Sequence, residues 1–318
     1  MKKLKIVFFG TPDFAVPSLE ILISNGYDVA AVVTAADKPA GRGLKMHISA
    51  VRQYALLHGL KIIQPASLKS DSFASELRDL NADLFIIVAF RMLPEKIWKL
   101  PRLGTFNLHA SLLPSYRGAA PISHAIMNGE TETGITTFFL QHEIDTGDIL
   151  FRQKIPIGEN ENAGDLHDRM KKEGAVLVLQ TVRAIESGSY TARKQEDFLD
   201  APVLKKAPKI SKADCRIDWK KNIEDLHNQV RGLSPLPGAY TVLEDESGKK
   251  HLLKIFATSK EFGPVHGKII TDSSSFIKIA GINGYLSLSE VQMEGRKRMK
   301  IRDFLRGTHV NNHWKTEE

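Results

Sequence analysis

Apolar runs and helix-like spacings alternate along the first part of the sequence. Residues 4–9 and 84–89 form short apolar runs with the length of buried strands, whereas residues 13–24 repeat apolar positions at the spacing of an amphipathic helix. Continuous apolar strands separated by such helices are typical of a parallel sheet covered on both faces. The same patterns predict further strands at 29–33, 61–63, 105–108, 134–141 and 149–155 and further helices at 49–58, 71–80, 122–128 and 164–187. We therefore expect an α/β domain over residues 1–189.

The periodicity is lost after this domain. Residues 190–208 are rich in Lys, Gln, Asp and Pro, a composition typical of a linker. Beyond them, one helical stretch at 222–231 precedes about five short strands separated by turn residues. Those strands are predicted at 239–243, 251–257, 267–271, 275–280 and 285–291. They favour a second domain over residues 209–318, a small β-barrel of the oligonucleotide-binding (OB) type.

The formal net charge of +7 is distributed unevenly, and most of the excess lies in residues 209–318. Such asymmetry favours a polyanionic partner for the second domain, although a modest basic excess also occurs in proteins that bind no nucleic acid. The single cysteine, Cys215, excludes an intramolecular disulfide and a zinc site built from cysteines, which fits a reducing compartment. No apolar run approaches the roughly 18 residues of a membrane-spanning helix. We expect a cytoplasmic protein that does not associate with a membrane.

The turn after the first predicted strand lacks a phosphate-binding fingerprint. The sequence Gly-Thr-Pro-Asp-Phe at residues 10–14 stands where dinucleotide-binding proteins carry several glycines, and it contains only one. Nicotinamide and flavin binding are therefore disfavoured. A tight turn between strand and helix is the alternative interpretation.

A basic segment interrupted by glycines occupies residues 37–45, where a short connection would suffice. Insertions at the carboxyl edge of a parallel sheet are often functional. Arg42 stands between two glycines, and together with Lys38 and Lys45 it offers cations that can contact a phosphate or an RNA backbone. The alternative is a solvated charged loop without a ligand.

Three polar residues are predicted to meet where the sheet ends. Side chains alternate along a strand, so Asn107 and His109 project from the same face, and His109 comes where the strand at 105–108 gives way to a loop. Asp145 lies on a separate acidic loop before the strand at 149–155. Ligands of open parallel sheets bind beyond the carboxyl ends of the strands. A lone histidine in such a position is more often structural than catalytic, but the neighbouring amide and carboxylate favour a catalytic site.

These residue types suit the transfer of an acyl group to an amine. An imidazole exchanges protons near neutral pH, an amide can donate to a developing oxyanion, and a carboxylate can orient the imidazole or hold a water. No serine or cysteine nucleophile motif accompanies them, so direct attack by an amine is favoured over a covalent acyl-enzyme. The histidines near the site lack the spacing of metal ligands, and we expect no metal.

The sequence around these residues is specific enough to indicate a family. The run FNLHASLLPSYRGAAP at 106–121, followed by Asp-Thr-Gly-Asp at 145–148, resembles the signature of the formyltransferases that use 10-formyltetrahydrofolate. Further segments that share the resemblance lie at 10–15, 38–43, 216–219 and 235–239. The resemblance therefore extends across nearly the whole chain. It implies a Rossmann-like α/β formyltransferase domain with a parallel sheet, followed by a small C-terminal β-barrel that is OB-like.

The resemblance also implies roles for individual residues and the identity of both substrates. The catalytic residues would be Asn107, His109 and Asp145. The folate site would include Phe90, Ser111, Leu112, Leu113 and Pro114. The formyl donor would be 10-formyltetrahydrofolate, and the acceptor would be methionyl initiator tRNA, formylated for translation initiation. The acceptor end of the tRNA would contact the 37–45 segment through Lys38, Arg42 and Lys45.

A second group of cations, Arg296, Lys297 and Arg298, belongs to the basic run at 295–302. In the barrel or on its edge, this run is predicted to contact tRNA phosphates. The alternative is a solvated face near the end of the sequence. We expect the protein to be a monomer.

Other acceptors and another class of protein remain open. The same three catalytic residue types would serve a formyltransferase acting on an amino-sugar nucleotide, on glycinamide ribonucleotide or on another small amine. They would also serve a hydrolase with water as the acceptor. The alternative from a different class is a noncatalytic RNA-binding protein built on a retired enzyme fold, and the intact triad argues against it.

Overall fold

A computed structural model describes residues 4–40, 45–198 and 204–317. The chain divides into two compact units. The first unit comprises the described residues of Met1–Gly118, Gly134–Ile155 and His167–Lys206, and the second unit those of Ala119–Thr133, Pro156–Leu166 and Ala207–Glu318. Each unit is therefore assembled from three separate stretches of sequence.

Most of the predicted strands and helices are present, with ends within a few residues of those expected. The strands of the described residues are β1 Lys5–Gly10, β2 Asp28–Val33, β3 Lys38–Ala40, β4 Lys45–His47, β5 Ile62–Ile63, β6 Leu84–Val88, β7 Thr105–His109, β8 Arg117–Gly118, β9 Glu132–Phe139, β10 Ile149–Pro156, β11 Lys206–Ala207, β12 Ala239–Glu244, β13 Lys250–Phe262, β14 Ile269–Thr271, β15 Ile277–Ala280, β16 Gly284–Met293, β17 Met299–Lys300 and β18 Lys315–Thr316. The α-helices of the same residues are α1 Val16–Ser24, α2 Ala50–Leu57, α3 Asp71–Asp79, α4 Glu95–Trp98, α5 Pro121–Met127, α6 Ala163–Ser187, α7 Ile223–Leu233 and α8 Ile301–Arg306. None of the described helices combines the length and the apolar character needed to cross a membrane.

The first unit is built on a seven-stranded sheet in the order β10-β9-β7-β6-β1-β2-β5. Strand β1 pairs in parallel with β2 and β6, and β6 pairs in parallel with β7. All of β6 and most of β1 are buried, as expected for strands covered on both faces. The predicted α/β class with a largely parallel sheet is confirmed. Strand β9 is a departure, since it runs antiparallel to β7.

The strand register brings the ends of β6 and β7 together. Val88, the last residue of β6, is the partner of Leu108 in β7. His109 then lies opposite Thr136 of β9. The loops that follow β6 and β7 therefore start at the same edge of the sheet, which is where ligands of such sheets bind.

Gly10 ends β1 at the same edge, beside Val88. A Cβ at Gly10 would lie 2.7 Å from the Cβ of Ala15, much closer than two nonbonded carbon atoms approach each other. The glycine therefore allows the short 3₁₀ turn Asp13–Ala15 to pack against the strand. This supports the interpretation of residues 10–14 as a tight turn.

The basic segment predicted as a loop contains an antiparallel pair of strands, β3 and β4. Lys38 is the backbone partner of His47 in this hairpin, and Lys45 is the partner of Ala40. Arg42 lies outside the described residues. The base of the hairpin is anchored by Asp37, which forms an ion pair with Arg52 and accepts a hydrogen bond from Gln64 at 3.0 Å.

The second unit is an antiparallel sheet in the order β14-β15-β16-β13-β12-β18, with β17 beside β16, and the sheet forms a nearly closed barrel. Strands β12 to β16 are those predicted; β17 and β18 were missed because each has only two residues. Register shifts between Ile255 and Thr258 interrupt the pairing of the long β13 with β16, and such bulges bend a strand. The core of this unit includes Leu226, Val230, Ile255, Leu286, Phe304 and Trp314. The predicted C-terminal barrel is confirmed.

Part of the segment predicted as a linker packs in the first unit. The backbones of Ile149 in β10 and Arg193 exchange two hydrogen bonds, of 2.7 and 3.0 Å. Gln195 follows in a 3₁₀ turn, Gln195–Phe198, and is buried. Residues 199–203 are outside the described part of the chain.

Candidate active site

His109 ends β7, and only 6% of its surface is exposed. Its Nε2 lies 2.9 Å from the carbonyl oxygen of Tyr116. Because a carbonyl oxygen only accepts, Nε2 carries the hydrogen, and in the neutral ring Nδ1 is the proton acceptor. Tyr116 has φ 62°, an uncommon conformation for a bulky residue. Such conformations concentrate at functional sites, where surrounding contacts hold them in place.

Asp145 lies in the turn between β9 and β10, and 14% of its side chain is exposed. Its Oδ2 accepts a hydrogen bond from the backbone N–H of Gly118 at 3.0 Å and lies 3.9 Å from Nδ1 of His109. The second distance is too long for a direct hydrogen bond but short enough for an ion pair with a protonated ring. The carboxylate therefore faces the ring nitrogen that gains a proton.

The turn that carries Asp145 has little conformational freedom. Asp145 itself has φ 54°. The hydroxyl of Thr146 donates to the carbonyl of Glu143 at 3.1 Å. A Cβ at Gly147 would overlap the carbonyl oxygen of Phe139, so only glycine fits there. The turn is thus closely packed against the end of β9.

Asn107 lies inside β7, between Ile87 of β6 and Phe138 of β9. It projects from the same face of the strand as His109, two residues later, and it is half-buried while its neighbours are buried. Among the residues that the structure describes, its side chain has no hydrogen-bond partner. Its amide is therefore available to a ligand. The structure places Asp145 beside His109, and Asn107 lies on the same strand as His109. The catalytic role of the three residues stays a prediction.

The loop after His109 is held in place by the buried hydroxyl of Thr136. This hydroxyl donates to the carbonyl of Ser111 at 2.7 Å and accepts from the N–H of Leu113 at 3.2 Å. Ser111 is fully buried, and its own hydroxyl donates to the carbonyl of Ser115 at 2.7 Å. Leu113 is fully buried as well and packs on Phe138. The side chains of both residues, the carbonyl of Ser111 and the N–H of Leu113 thus serve the fold of the loop. Among the described residues, the N–H of Ser111 and the carbonyl of Leu113 remain for any ligand contact.

The remaining residues predicted to contact folate differ in exposure. Pro114 is buried, whereas Leu112 and Phe90 are half-buried. The ring of Phe90 packs edge-on against Phe9, with 5.7 Å between the ring centres. Leu112 and Phe90 are therefore the two predicted contacts whose side chains still present apolar surface.

The cations of the basic run are engaged to different degrees. Arg296 donates to the hydroxyl of Thr308 at 2.7 Å. Arg298 donates to Glu290 at 2.6 Å, and this hydrogen bond holds the pKa of the Glu290 carboxyl below its usual value. Lys297 is exposed and has no partner among the described residues. Of these three cations, Lys297 alone has no contact within the described residues, so it can contact a phosphate without breaking one.

A group of possible metal-ligating side chains lies elsewhere in the first unit. Ligand atoms of Asp13, His167 and Asp168 lie within 4.8 Å of one another. The ammonium of Lys171 already donates to Asp13 at 3.1 Å and to Asp168 at 2.7 Å, which raises its own pKa. A cation at this place would have to displace that ammonium.

Sequence reasoning missed two residues that contact the site. The amide of Gln195 donates to the backbone of the Asp145 turn, and the guanidinium of Arg117 donates to Gln195. Arg117 belongs to the run at 106–121 but was given no role there. Gln195 was placed in the linker, and nothing in the local sequence marks it as part of the site.

Two family models match the chain. Formyl transferase matches residues 4–182, more than half of the sequence, and the formyl transferase C-terminal domain matches residues 209–309. The chain belongs to the formyl transferase family. The resemblance predicted from the sequence is thereby confirmed, and the two matched regions correspond to the α/β domain and the barrel.

Curated relatives within this family match along nearly their full length. A methionyl-tRNA formyltransferase of Bacteroides fragilis is 49% identical over 99% of this chain and 99% of its own. A methionyl-tRNA formyltransferase of Parabacteroides distasonis is 52% identical over 96% of this chain and 97% of its own.

Solved structures share the fold at lower identity. An N-formyltransferase from Helicobacter canadensis, solved with folinic acid and dTDP-3-aminofucose, has a TM-score of 0.65 at 24% identity and covers 90% of this chain and 98% of its own. HypX from Aquifex aeolicus, solved with tetrahydrofolic acid, has a TM-score of 0.62 at 18% identity and covers 97% of this chain and 48% of its own. These likenesses concern the fold alone.

Proposed function

We propose that this protein transfers the formyl group of 10-formyltetrahydrofolate to the α-amino group of methionyl initiator tRNA. One observation carries the proposal: Nδ1 of the buried His109 is open and faces the carboxylate of Asp145. The free amide of Asn107 on the same strand face adds a donor for an oxyanion. The full-length relatives named methionyl-tRNA formyltransferase support the choice of the acceptor.

The geometry suits a direct transfer in which bonds and protons balance. The α-amine attacks the formyl carbon, a C–N bond forms, and the formyl oxygen becomes an oxyanion to which the Asn107 amide donates. Nδ1 of His109 takes the proton of the attacking nitrogen, and Asp145 stabilises the imidazolium that results. The bond between the formyl carbon and N10 of the folate then breaks, and the same proton passes from Nδ1 to N10. The products are formylmethionyl-tRNA and tetrahydrofolate, and no covalent enzyme intermediate forms.

The donor is proposed to bind along the loop from Ser111 to Pro114 and beside Phe90. Leu112 and Phe90 supply the half-buried apolar surface against which a pteridine ring can pack. Ser111 and Leu113 contribute through the backbone, because their side chains are buried in the loop itself. The absence of a glycine-rich fingerprint at residues 10–14 is consistent with a ligand other than a dinucleotide.

The acceptor is proposed to contact both units through the cations of two basic segments. In the first unit these are Lys38, Arg42 and Lys45. In the second unit they are Arg296, Lys297 and Arg298, of which Lys297 is unpaired among the described residues. We further propose that the enzyme acts as a monomer in the cytoplasm. Light scattering after gel filtration tests the monomeric state.

A comparison of acceptors tests this function. The protein is incubated with 10-formyltetrahydrofolate labelled in the formyl group, together with methionyl initiator tRNA, an amino-sugar nucleotide, glycinamide ribonucleotide or no acceptor. We expect label in the tRNA and no transfer to the other compounds at comparable concentrations. Faster transfer to the amino-sugar nucleotide, or release of formate without any acceptor, would replace the proposal by the corresponding alternative.

The matched control uses the same initiator tRNA without its methionine. This molecule retains every phosphate contact but lacks the α-amine that attacks the formyl carbon. Binding without transfer is expected. Label that appears in the uncharged tRNA would show that the nucleophile is a different group.

A further inference from the structure

Gln195 is buried, with 1% of its surface exposed. Its Nε2 donates to two backbone carbonyls, that of Asp145 at 2.8 Å and that of Gly147 at 2.9 Å. Its Oε1 accepts from Nε and Nη2 of Arg117 at 3.1 and 2.6 Å. Both hydrogens and both lone pairs of the amide are therefore used. The reverse orientation would set two carbonyl oxygens against Oε1, so the amide has one stable orientation.

These bonds belong to a hydrogen-bond network around Asp145. Gln195 holds the backbone carbonyl of Asp145, and the N–H of Gly118 holds its carboxylate at 3.0 Å. Arg117, the residue before Gly118, in turn holds Gln195. Asp145 is thus held through its backbone and through the carboxylate that faces His109. The residues that hold it are far apart in the sequence but all belong to the first unit.

We infer that Gln195 is a positioning residue, which holds the Asp145 turn so that the carboxylate stays opposite Nδ1 of His109. The inference rests on the proposed function, in which Asp145 stabilises the imidazolium. Because the interaction between Oδ2 and Nδ1 spans 3.9 Å, a small rotation of the turn would weaken it. Asp145 has φ 54°, a conformation that is uncommon for residues other than glycine, and the Gln195 amide is one of the contacts that hold the backbone there.

The segment that carries Gln195 does not depend on this amide for its attachment. Arg193 exchanges two backbone hydrogen bonds with Ile149 of β10. Phe198 packs on the cluster of Leu113, Phe138 and Ile149. The segment is therefore held on both sides of Gln195. This separates the effect of the amide on the Asp145 turn from the stability of the segment.

Two variants test the amide. Gln195→Met keeps the length and volume of the side chain but makes no hydrogen bond. Gln195→Glu keeps the acceptor for Arg117 and loses the donor to the two carbonyls. We expect both to lower kcat roughly 10- to 100-fold, the effect of a small misplacement of a catalytic group, while KM for each substrate changes less than about threefold. If Gln195→Met lowers the stability of the protein, Gln195→Glu still tests the role of the amide.

Gln229 supplies a matched control. Its Nε2 also donates to two backbone carbonyls, those of Asp214 and Arg216, at 2.9 and 3.0 Å, but it lies in the second unit. Gln229→Met is expected to leave kcat unchanged. A loss of kcat in this variant equal to that of Gln195→Met would overturn the inference, since any side-chain amide that bonds two backbone carbonyls would then have the same effect.

A double-mutant cycle decides whether Gln195 acts through Asp145. In the Asp145→Asn background, where no carboxylate remains to be positioned, Gln195→Met is expected to change kcat less than about twofold. Equal losses in both backgrounds would show that Gln195 acts on general stability, and the inference would be wrong.

A measurement without substrates separates this inference from the proposed function. Hydrogen exchange of the Gly118 amide reports its bond to Asp145, and we expect it to be at least tenfold faster in both Gln195 variants, with no change in Gln229→Met. Unchanged exchange would refute the positioning role even where the transfer assay succeeds. Faster exchange in a protein that formylates no acceptor would leave the positioning role standing and refute the function alone.

Discussion

The end of β7 and the basic run at 295–302 place polar groups in opposite ways. At the end of β7, His109 and Asp145 are almost buried and each of them is oriented by named hydrogen bonds. In the basic run the charges are exposed, and they are spread over a loop, the two-residue strand β17 and the start of α8. The first arrangement suits chemistry, which depends on fractions of an ångström, and the second suits attraction of a polyanion, which depends mainly on the number of charges.

Of the substitutions that test this comparison, His109→Gln is expected to have the largest effect on activity. A glutamine can still donate to the carbonyl of Tyr116, but it has no basic nitrogen opposite Asp145. We expect kcat to fall about 10²- to 10⁴-fold with the fold retained, as is typical for loss of a general base. Single-turnover rates and the circular dichroism spectrum would check this. A rate near that of the wild type would mean that the proton is accepted elsewhere.

Asn107→Ala removes a donor and leaves the acid–base pair intact. Loss of one oxyanion donor costs about 10²- to 10³-fold in kcat, and we expect a loss in this range with little change in the affinity for either substrate. Asn107→Asp is the informative companion, because it preserves the size of the side chain but sets a charge against the oxyanion. Losses of kcat smaller than this range in both variants would exclude Asn107 as the donor.

A buried histidine in the second unit extends the comparison to stability. Burial, with the positive charges of Lys260 and Arg231 beside it, lowers the pKa of His227 from 6.5 to about 4. As the pH falls from 6.5 to 4, the unfolded chain binds a proton at this histidine and the folded chain does not. The free energy of unfolding is therefore expected to fall, by about 2 kcal/mol at pH 5 relative to pH 7.

The control for this prediction is His227→Gln, which keeps a partner for the hydroxyl of Thr258 and does not titrate. Urea unfolding of both proteins between pH 7 and pH 5 isolates the contribution of the histidine, because all carboxylates are shared. Parallel pH dependence in the two proteins would show that folding does not lower the pKa of His227.

The smallest expected effect is at the basic run. For Lys297→Ala we expect tRNA affinity to fall severalfold and the slope of log affinity against log salt to decrease by about one, with unchanged thermal stability. For Arg298→Ala we expect a lower melting temperature and a smaller change in the salt slope, because Arg298 is paired with Glu290 and covers the ring of Phe256. Identical salt slopes for both variants and the wild type would remove this run from the tRNA contact.

Patterns along a strand were sufficient to place Asn107 and His109. The alternation of side chains and the end of the apolar run fix their common face and their position at the sheet edge, and these are local properties. Asp145 was grouped with them because its acidic loop precedes the strand at 149–155, and the resemblance supported the grouping. The 35 residues between His109 and Asp145 carry no local signal for their contact. The role of Gln195 was invisible for the same reason, since its partners belong to other segments.

The hydrophobic pattern also could not predict very short strands or the direction of a strand. The hairpin of β3 and β4 was predicted as a loop because each strand has three residues, too few to show alternation. Strand β9 reads as any buried strand, and its antiparallel direction follows from the connection that precedes it. Likewise, no pattern in the sequence distinguishes the paired Arg298 from the unpaired Lys297, because Glu290 reaches Arg298 only through the pairing of β16 with β17.

The carbonyl of Tyr116 has a consequence for how the two substrates must approach. With Nε2 of His109 occupied, every proton enters and leaves the ring through Nδ1. In the proposed mechanism, the nitrogen that joins the formyl carbon and the nitrogen that leaves it must therefore both come within reach of Nδ1 on the same ring. Donor and acceptor then have to be bound at the same time, and we expect steady-state rates to give intersecting rather than parallel double-reciprocal lines when both concentrations are varied.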